Sequence, residues 1–269
     1  MKKLALYLIL ICAAVSFIYP FLWMAFISLK SVGDAGAGSF LSSFFTLQNY
    51  KAVFMEIPIG RALLNSAIVA LSTTASVIFF SSLVGYALAK LRFNGRETVF
   101  MIVLLTMMIP GQLTLIPLYT LIVRLGWIDA YPALIAPWMI SAMGILIFRQ
   151  TFISIPDDLI EAARMEGCGE LRILTSIFWP LSKPAMVTVG IITFMNSWNE
   201  VLWPMMVVRR QEMMTMPQMI TTFSVGGQSG GELGVEMAAS MLLIIPILAA
   251  YAFFQKYFID GIASTGIKG

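Results

Sequence analysis

The chain has 269 residues, 59% of them hydrophobic and only 12% charged, with a net charge of +3. Soluble domains carry about 25% charged residues, so this balance belongs to a membrane protein and excludes an ordinary soluble domain. The small, scattered positive excess gives no nucleic-acid footprint, and the absence of histidine removes the commonest metal ligand and general base.

Lys2 and Lys3 precede an apolar run from Leu4 to Ser28. That run exceeds the core of a signal peptide and suffices to cross a bilayer, so a retained first helix is expected. A polar loop from Lys30 to about Gly60 follows, with Leu47-Gln48-Asn49-Tyr50 near its middle. The second apolar run covers about Ala62 to Ala89 and is followed by Lys90, Arg92 and Arg96. In the third, about Val99 to Val123, Pro110-Gly111 should kink or open the helix at mid-membrane. Thr106, Gln112 and Thr114 around this break could line a path, but satisfying freed backbone groups is the preferred role.

A short turn from Gly126 leads to a fourth run, about Pro132 to Phe148. The fifth covers about Pro184 to Val208, and a glycine-rich loop from Arg209 leads to the sixth, about Val235 to Tyr257. The expectation is an all-α integral membrane protein with about six spans and both termini on one side. It is read as a single transmembrane domain over 1–269, with core helices over about 62–258.

The longest polar interval, from Ser154 to Ala185, separates the fourth run from the fifth, with the loop itself over 154–183. It predicts two short helices meeting at a break. Ser154 can cap the first, Pro156 suits its first turn, and Asp157 and Asp158 sit at the positive end of its dipole. Gly167 and Gly169 supply the stop through left-handed backbone, and a second amphipathic run from Leu171 ends at Pro180. A helix–glycine–helix knob held outside the bilayer suits docking to another protein; a solvated loop with ordinary caps is the bland alternative.

The positive-inside rule orients the knob. Of the 17 Lys and Arg, 11 fall on its side: Lys2, Lys3, Lys90, Arg92, Arg96, Arg149, Arg164, Arg172, Lys183, Lys256 and Lys268. The other 6 are Lys30, Lys51, Arg61, Arg124, Arg209 and Arg210. The knob and both termini are therefore expected in the cytoplasm. Cys12 and Cys168 make no disulfide framework there and read as structural or neutral.

In the fifth run Asn196, Asn199, Glu200 and Trp203 stand at i, i+3, i+4 and i+7, one face of a continuous helix. Carboxylate and amide groups beside an indole can bind sugar hydroxyls and cover an apolar sugar face. Interhelical glue, or a carboxylate in the wet interface, is the competing role. Met205, Met206, Met213, Met214 and Met216 read as adaptable packing. No phosphate-binding loop is present: in Gly261–Lys268 an isoleucine, Ile267, stands where the lysine is needed. Any ATP-driven step needs a separate subunit.

Glu161-Ala162-Ala163, then Gly167, Pro180 and Pro184, resembles the EAA motif of permease subunits of binding-protein-dependent ABC importers. The tail from Phe254 and the segment Ser197-Trp198-Asn199-Glu200 resemble the carbohydrate branch, MalG-like subunits in particular. The likeness covers essentially the whole chain, with departures at Glu166, Cys168 and Trp179, where aspartate, alanine and leucine are usual. It implies a type I ABC importer permease (MetI-like) fold with a cytoplasmic EAA coupling-helix loop in a bacterial or archaeal plasma (inner) membrane.

The resemblance further implies a second, MalF-like permease, two copies of a nucleotide-binding ATPase subunit and an extracytoplasmic sugar-binding protein. The chain itself would be no enzyme and hold no cofactor or metal; ATP and Mg would sit on the partners. Glu161 would offer its carboxylate to a basic group of the ATPase. Ala162 and Ala163 would keep the helix face flat, Gly167 would permit the bend, and Pro180 and Pro184 would fix the exit angle. Gly226, Gly227, Gly230 and Gly231 would let the loop after the fifth run reach a delivered sugar, and the tail from Asp260 would lie on the ATPase dimer or fray. A glycerol phosphate or amino acid substrate, or an ion-coupled secondary transporter using Glu200, are the alternatives.

Overall fold

The computed structural model describes residues 2–31, 45–225 and 232–266, and every regular element among them is helical. The helices are α1 (Lys2–Ser28), α2 (Gln48–Glu56), α3 (Ile59–Lys90), α4 (Arg96–Thr106), α5 (Leu115–Arg124), α6 (Tyr131–Ile135) and α7 (Ala142–Ile153). There follow α8 (Asp158–Met165), α9 (Glu170–Ile173), α10 (Trp179–Leu181), α11 (Lys183–Trp198), α12 (Leu202–Val207), α13 (Met216–Val225) and α14 (Leu233–Gly266). All six expected apolar runs are helical. Two helical stretches, Leu6–Ser28 and α3, are individually long and apolar enough to cross a membrane, and up to five spans result if each bent helix pair is one span. The apolar part of α14, Leu233–Ala249, is shorter.

The chain falls into two compact units, Met1–Leu63 with Thr215–Ala250, and Leu64–Met214 with Tyr251–Gly269. In the first, the expected 30–60 loop contains a helix. Asn49 of α2 is fully buried, and its amide donates to the carbonyls of Ser28 (2.9 Å) and Lys30 (2.7 Å) at the end of α1. The loop expected from Arg209 onward is likewise largely helix, because Met216, Met219, Ile220 and Phe223 at helical spacing bury one face of α13. The four glycines from Gly226 to Gly231 lie outside the described residues.

The second unit is built on α3, whose small residues let α7 approach closely. A Cβ on Gly85 would lie 2.7 Å from the Cβ of Phe148, and one on Gly144 would lie 3.0 Å from the Ser81 hydroxyl. Ser81 also accepts from the Ser141 N–H (3.1 Å) at the start of α7. Small residues serve membrane helices in this way, since lipid offers no hydrophobic drive to bring them together.

Three expected runs are broken. At Pro110 the chain turns by 94° between α4 and the segment continuing into α5. The Thr106 hydroxyl donates to the Val103 carbonyl (2.6 Å), which the Met107 N–H has left for Leu104. Thr114 does the same for Gly111 (2.8 Å), whose usual partner, the Leu115 N–H, bonds Gln112. Both hydroxyls thus serve the freed backbone. The fourth run bends by 43° before α7, which continues past Phe148 to Ile153. The fifth stops at Trp198 and resumes as α12, so it is not continuous from Pro184 to Val208.

Candidate functional site

The knob is the part of the second unit that the sequence singles out, and its first helix, α8, is short and two-faced. Ile160 and Ala163 are buried, whereas Glu161, Ala162 and Met165 point outward, Met165 with 90% of its surface exposed. A period of 3.6 residues dictates this split. Of the Glu161-Ala162-Ala163 triplet, two residues therefore lie on the outer face. Ala163 does not: it packs inward, where its small side chain lets α8 sit close to the core.

Gly167 ends α8 with φ +81°, the left-handed conformation that glycine adopts without strain. The Cys168 N–H bonds the Ala163 carbonyl and the Gly167 N–H that of Arg164, both at 3.0 Å. These two bonds make a Schellman cap, satisfying carbonyls that the helix end would leave bare. Gly169 differs from expectation. Its φ is −75° and its backbone extended, so it starts α9 rather than turning the chain. Ser154 also differs: it closes α7, its hydroxyl donating to Thr151 (2.7 Å), and Asp157 occupies the cap position of α8. The Asp157 side chain does not bond the helix N-terminus because Lys90 takes it.

The second half of the knob runs on past Pro180. A wide π turn over Leu174–Phe178 joins α9 to α10, and the helix closes at Leu181 before an 89° bend at Ser182 into α11. Widening the helix just ahead of Pro180 eases the clash between its ring and the carbonyl four residues earlier. Pro184 then opens α11 in its first turn, where a missing N–H costs nothing.

A dense core fixes the knob to the helices above it. Ile160, Ala163, Ile173, Leu174 and Phe178 join Tyr86, Phe148 and Phe152 in one buried cluster. Tyr86, Phe152 and Phe178 meet edge to face, with centroids 5.0 to 6.4 Å apart. Trp179, where the family pattern has leucine, donates its indole N–H to Ser82 (3.0 Å) and packs on Phe79.

Polar locks reinforce the core. The largely buried Lys90 ammonium donates to the Ile155 carbonyl (2.6 Å) and to Asp157 (2.5 Å), a bond that holds the Asp157 carboxyl below the usual aspartate range. The Tyr86 hydroxyl donates to one oxygen of Glu170 (2.5 Å), and Arg164 binds the other (2.8 Å). Outside the knob, Arg149 grips both oxygens of Glu97 (3.1 Å) and lies over the Phe100 ring. None of these partners is visible as a motif, because each joins residues at least six positions apart, most of them more than 50. A basic residue closing an apolar run was the only hint. Glu161, by contrast, is exposed, and its carboxylate engages no hydrogen bond or ion pair among the described residues.

The four residues expected to share a face in the fifth run are separated by the break at Asn199–Val201. Asn196, Asn199 and Glu200 are exposed, while Trp203 is buried. The Glu200 carboxylate accepts the Trp203 N–H (3.0 Å), capping α12, and the Asn199 amide donates to Met195 (2.8 Å). The Trp203 indole donates to the Ala133 carbonyl (2.9 Å) and meets Trp138 edge to face. Met206, Met213 and Met214 pack around this cluster. Among the described residues no group of carboxylates and cysteines is arranged to hold a metal ion.

Residues 77–264, which include the whole knob, match the family model described as the inner membrane component of binding-protein-dependent transport systems. The chain belongs to this family. It is 40% identical over 205 residues to the arabinooligosaccharides transport system permease protein AraQ of Bacillus subtilis, covering 76% of this chain and 72% of that protein. It is 34% identical over 208 residues to the sn-glycerol-3-phosphate transport system permease protein UgpE of Pectobacterium atrosepticum, covering 77% and 74%. In three dimensions it matches a chain from the crystal structure of a bacterial ABC transporter involved in the import of the acidic polysaccharide alginate. That match has a TM-score of 0.84 and 25% identity over 96% of both chains. The chain is thus a permease of the ABC importer class, one component of a multi-subunit membrane transport system.

Proposed function

We propose that the chain is the transmembrane permease subunit of an ATP-driven sugar importer. It forms the solute pathway with a second permease, MalF-like in role, and receives solute from an extracytoplasmic sugar-binding protein. Two ATPase subunits carry ATP and Mg and hydrolyse ATP, and this chain contributes no catalytic group. The observation that carries the reading is the knob: a capped helix whose buried face is locked to the membrane helices and whose outer face presents Glu161, Ala162 and Met165, with no partner for the carboxylate among the described residues. A carboxylate unengaged among the described residues, on a rigid face, suits a basic cleft on an ATPase.

The knob and both termini lie in the cytoplasm, on the side carrying more Lys and Arg. The whole chain acts as one transmembrane domain in the inner membrane. Asn199 and Glu200, exposed at the break between α11 and α12, are the side chains of the fifth run that remain available to a solute path. Asn196, also exposed, extends it, whereas Trp203 shapes it from behind.

The AraQ relative supports an oligosaccharide as the cargo, and the UgpE relatives support glycerol phosphate as the second reading. Uptake of radiolabelled arabino-oligosaccharides and of sn-glycerol 3-phosphate by cells with and without the gene separates them. Loss of oligosaccharide uptake alone is expected. Loss of glycerol phosphate uptake alone replaces the sugar with the phosphate ester.

A further inference from the structure

We infer that α3 is a transmembrane push rod, pinned at one end to the knob by Tyr86 and Lys90 and at the other to the opposite loop by Asn65. The inference rests on the docking role of the knob proposed above. Through the second unit α3 runs from Leu64 to Lys90 without a break, whereas the α4–α5, α6–α7 and α11–α12 stretches are all interrupted. A force applied to an interrupted helix is absorbed at the break; a continuous one transmits it.

The inner end is pinned at two points. Tyr86 and Lys90 stand one turn apart, on one face of α3. Lys90 holds the chain entering α8 through the Ile155 carbonyl and Asp157. Tyr86 holds the chain leaving it through Glu170, whose second oxygen binds Arg164 of α8. Apolar contacts between Ile160, Ala163 and the core hold α8 in place but carry no directional preference. Hydrogen bonds are directional, so these locks fix where α8 sits along the axis of α3.

The outer end is pinned by Asn65, which is fully buried. Its amide donates to the carbonyls of Glu212 and Met214 (2.9 Å each), and its oxygen accepts from the Tyr131 hydroxyl (2.8 Å). From Asn65 to Tyr86 is 21 helical steps, roughly 32 Å at about 1.5 Å per residue, the thickness of a bilayer core. A displacement of α8 by an ATPase is therefore delivered to the 212–214 loop on the far side, where a solute-binding protein would dock. Tyr86 and Asn65 are buried and the Lys90 side chain is 6% exposed, so all three are positioning residues.

The test places a fluorophore on the exposed Gln211, as Gln211→Cys in a background lacking Cys12 and Cys168, in the complete complex in nanodiscs. ATP with vanadate is the probe, so no cargo need be known. Wild type is expected to change its emission on trapping. The Tyr86→Phe, Lys90→Met double variant should keep its ATPase subunits and their basal hydrolysis, yet lose the response by about threefold to tenfold. Lys90→Arg with native Tyr86 should restore it. A double variant with the full response, or one that fails to retain the ATPase, overturns the rod: the locks then only fold the knob. A wild-type complex that retains no ATPase contradicts the docking role itself.

Discussion

Gly167 is the residue on which the knob turns, and its requirement is conformational rather than steric. A Cβ there meets nothing within 4 Å, but φ +81° penalises every side chain except those that tolerate left-handed backbone. Asparagine is the best substitute and valine among the worst. Gly167→Asn is expected to transport near wild type, whereas Gly167→Val strains the cap by roughly 1–2 kcal/mol and loses most transport without loss of membrane insertion. Equal transport by the two variants would show that the cap is dispensable.

Asp129, in the turn before α6, also has left-handed backbone, φ 58°. Its carboxylate accepts the N–H groups of Arg209 (2.6 Å) and Arg210 (2.8 Å). Partial burial pushes its pKa up, but these two N–H groups and the two positive charges outweigh burial and hold it below the usual aspartate value. A depressed carboxylate contributes stability that is complete above its unfolded pKa and fades as pH falls through the folded one. Wild type should therefore lose thermal stability below about pH 4, and Asp129→Ala should start lower at neutral pH with a shallower acid limb. Parallel curves for the two proteins would remove Asp129 from the account.

Among elements, the seam of α3 against α7 depends on an absent side chain. Because a Cβ on Gly85 would lie 2.7 Å from that of Phe148, Gly85→Ala must push the helices apart. Overpacking of this kind costs about 1–3 kcal/mol, so the thermal midpoint in detergent should fall by several degrees. A midpoint equal to wild type would mean that the seam relaxes freely.

The elements also show what the sequence could and could not tell. Pro110 announced its break because proline lacks an N–H and glycine follows it. The break after Trp198 was marked by Pro204, whose ring would clash with the Glu200 carbonyl four residues earlier, but the helical spacing of the polar residues reads across it as one helix until Glu200 caps a second. Asn199 and Glu200 were legible as unusual, but not as a helix end, since their shared face assumed continuity. The helix α13 was hidden behind a glycine-rich end. The π turn before Pro180 had a cause in the sequence and no period by which to find it.

At the scale of the whole molecule, composition and hydropathy sufficed for an all-helical membrane protein because a bilayer permits few other solutions. The knob was legible for the opposite reason, as the longest polar interval in an apolar chain. Its locks were not. Tyr86 and Glu170 are 84 residues apart and Lys90 and Asp157 are 67 apart, so only folding brings them together. On the proposed reading, the direction of transport and the identity of the driving subunit likewise reside in surfaces that this chain offers to others, the outer face of α8 foremost.

The most direct measurement of that claim is co-purification from native membranes in mild detergent, followed by ATP hydrolysis, for wild type and for Glu161→Lys. The substitution reverses one exposed charge that has no partner among the described residues, so the fold should not respond. Wild type is expected to bring down an ATPase and a second permease and to hydrolyse ATP, and Glu161→Lys to lose about tenfold or more of the ATPase recovery. Equal recovery from the two proteins, or a wild type that purifies alone and moves solute under an ion gradient, would contradict the docking role of the knob.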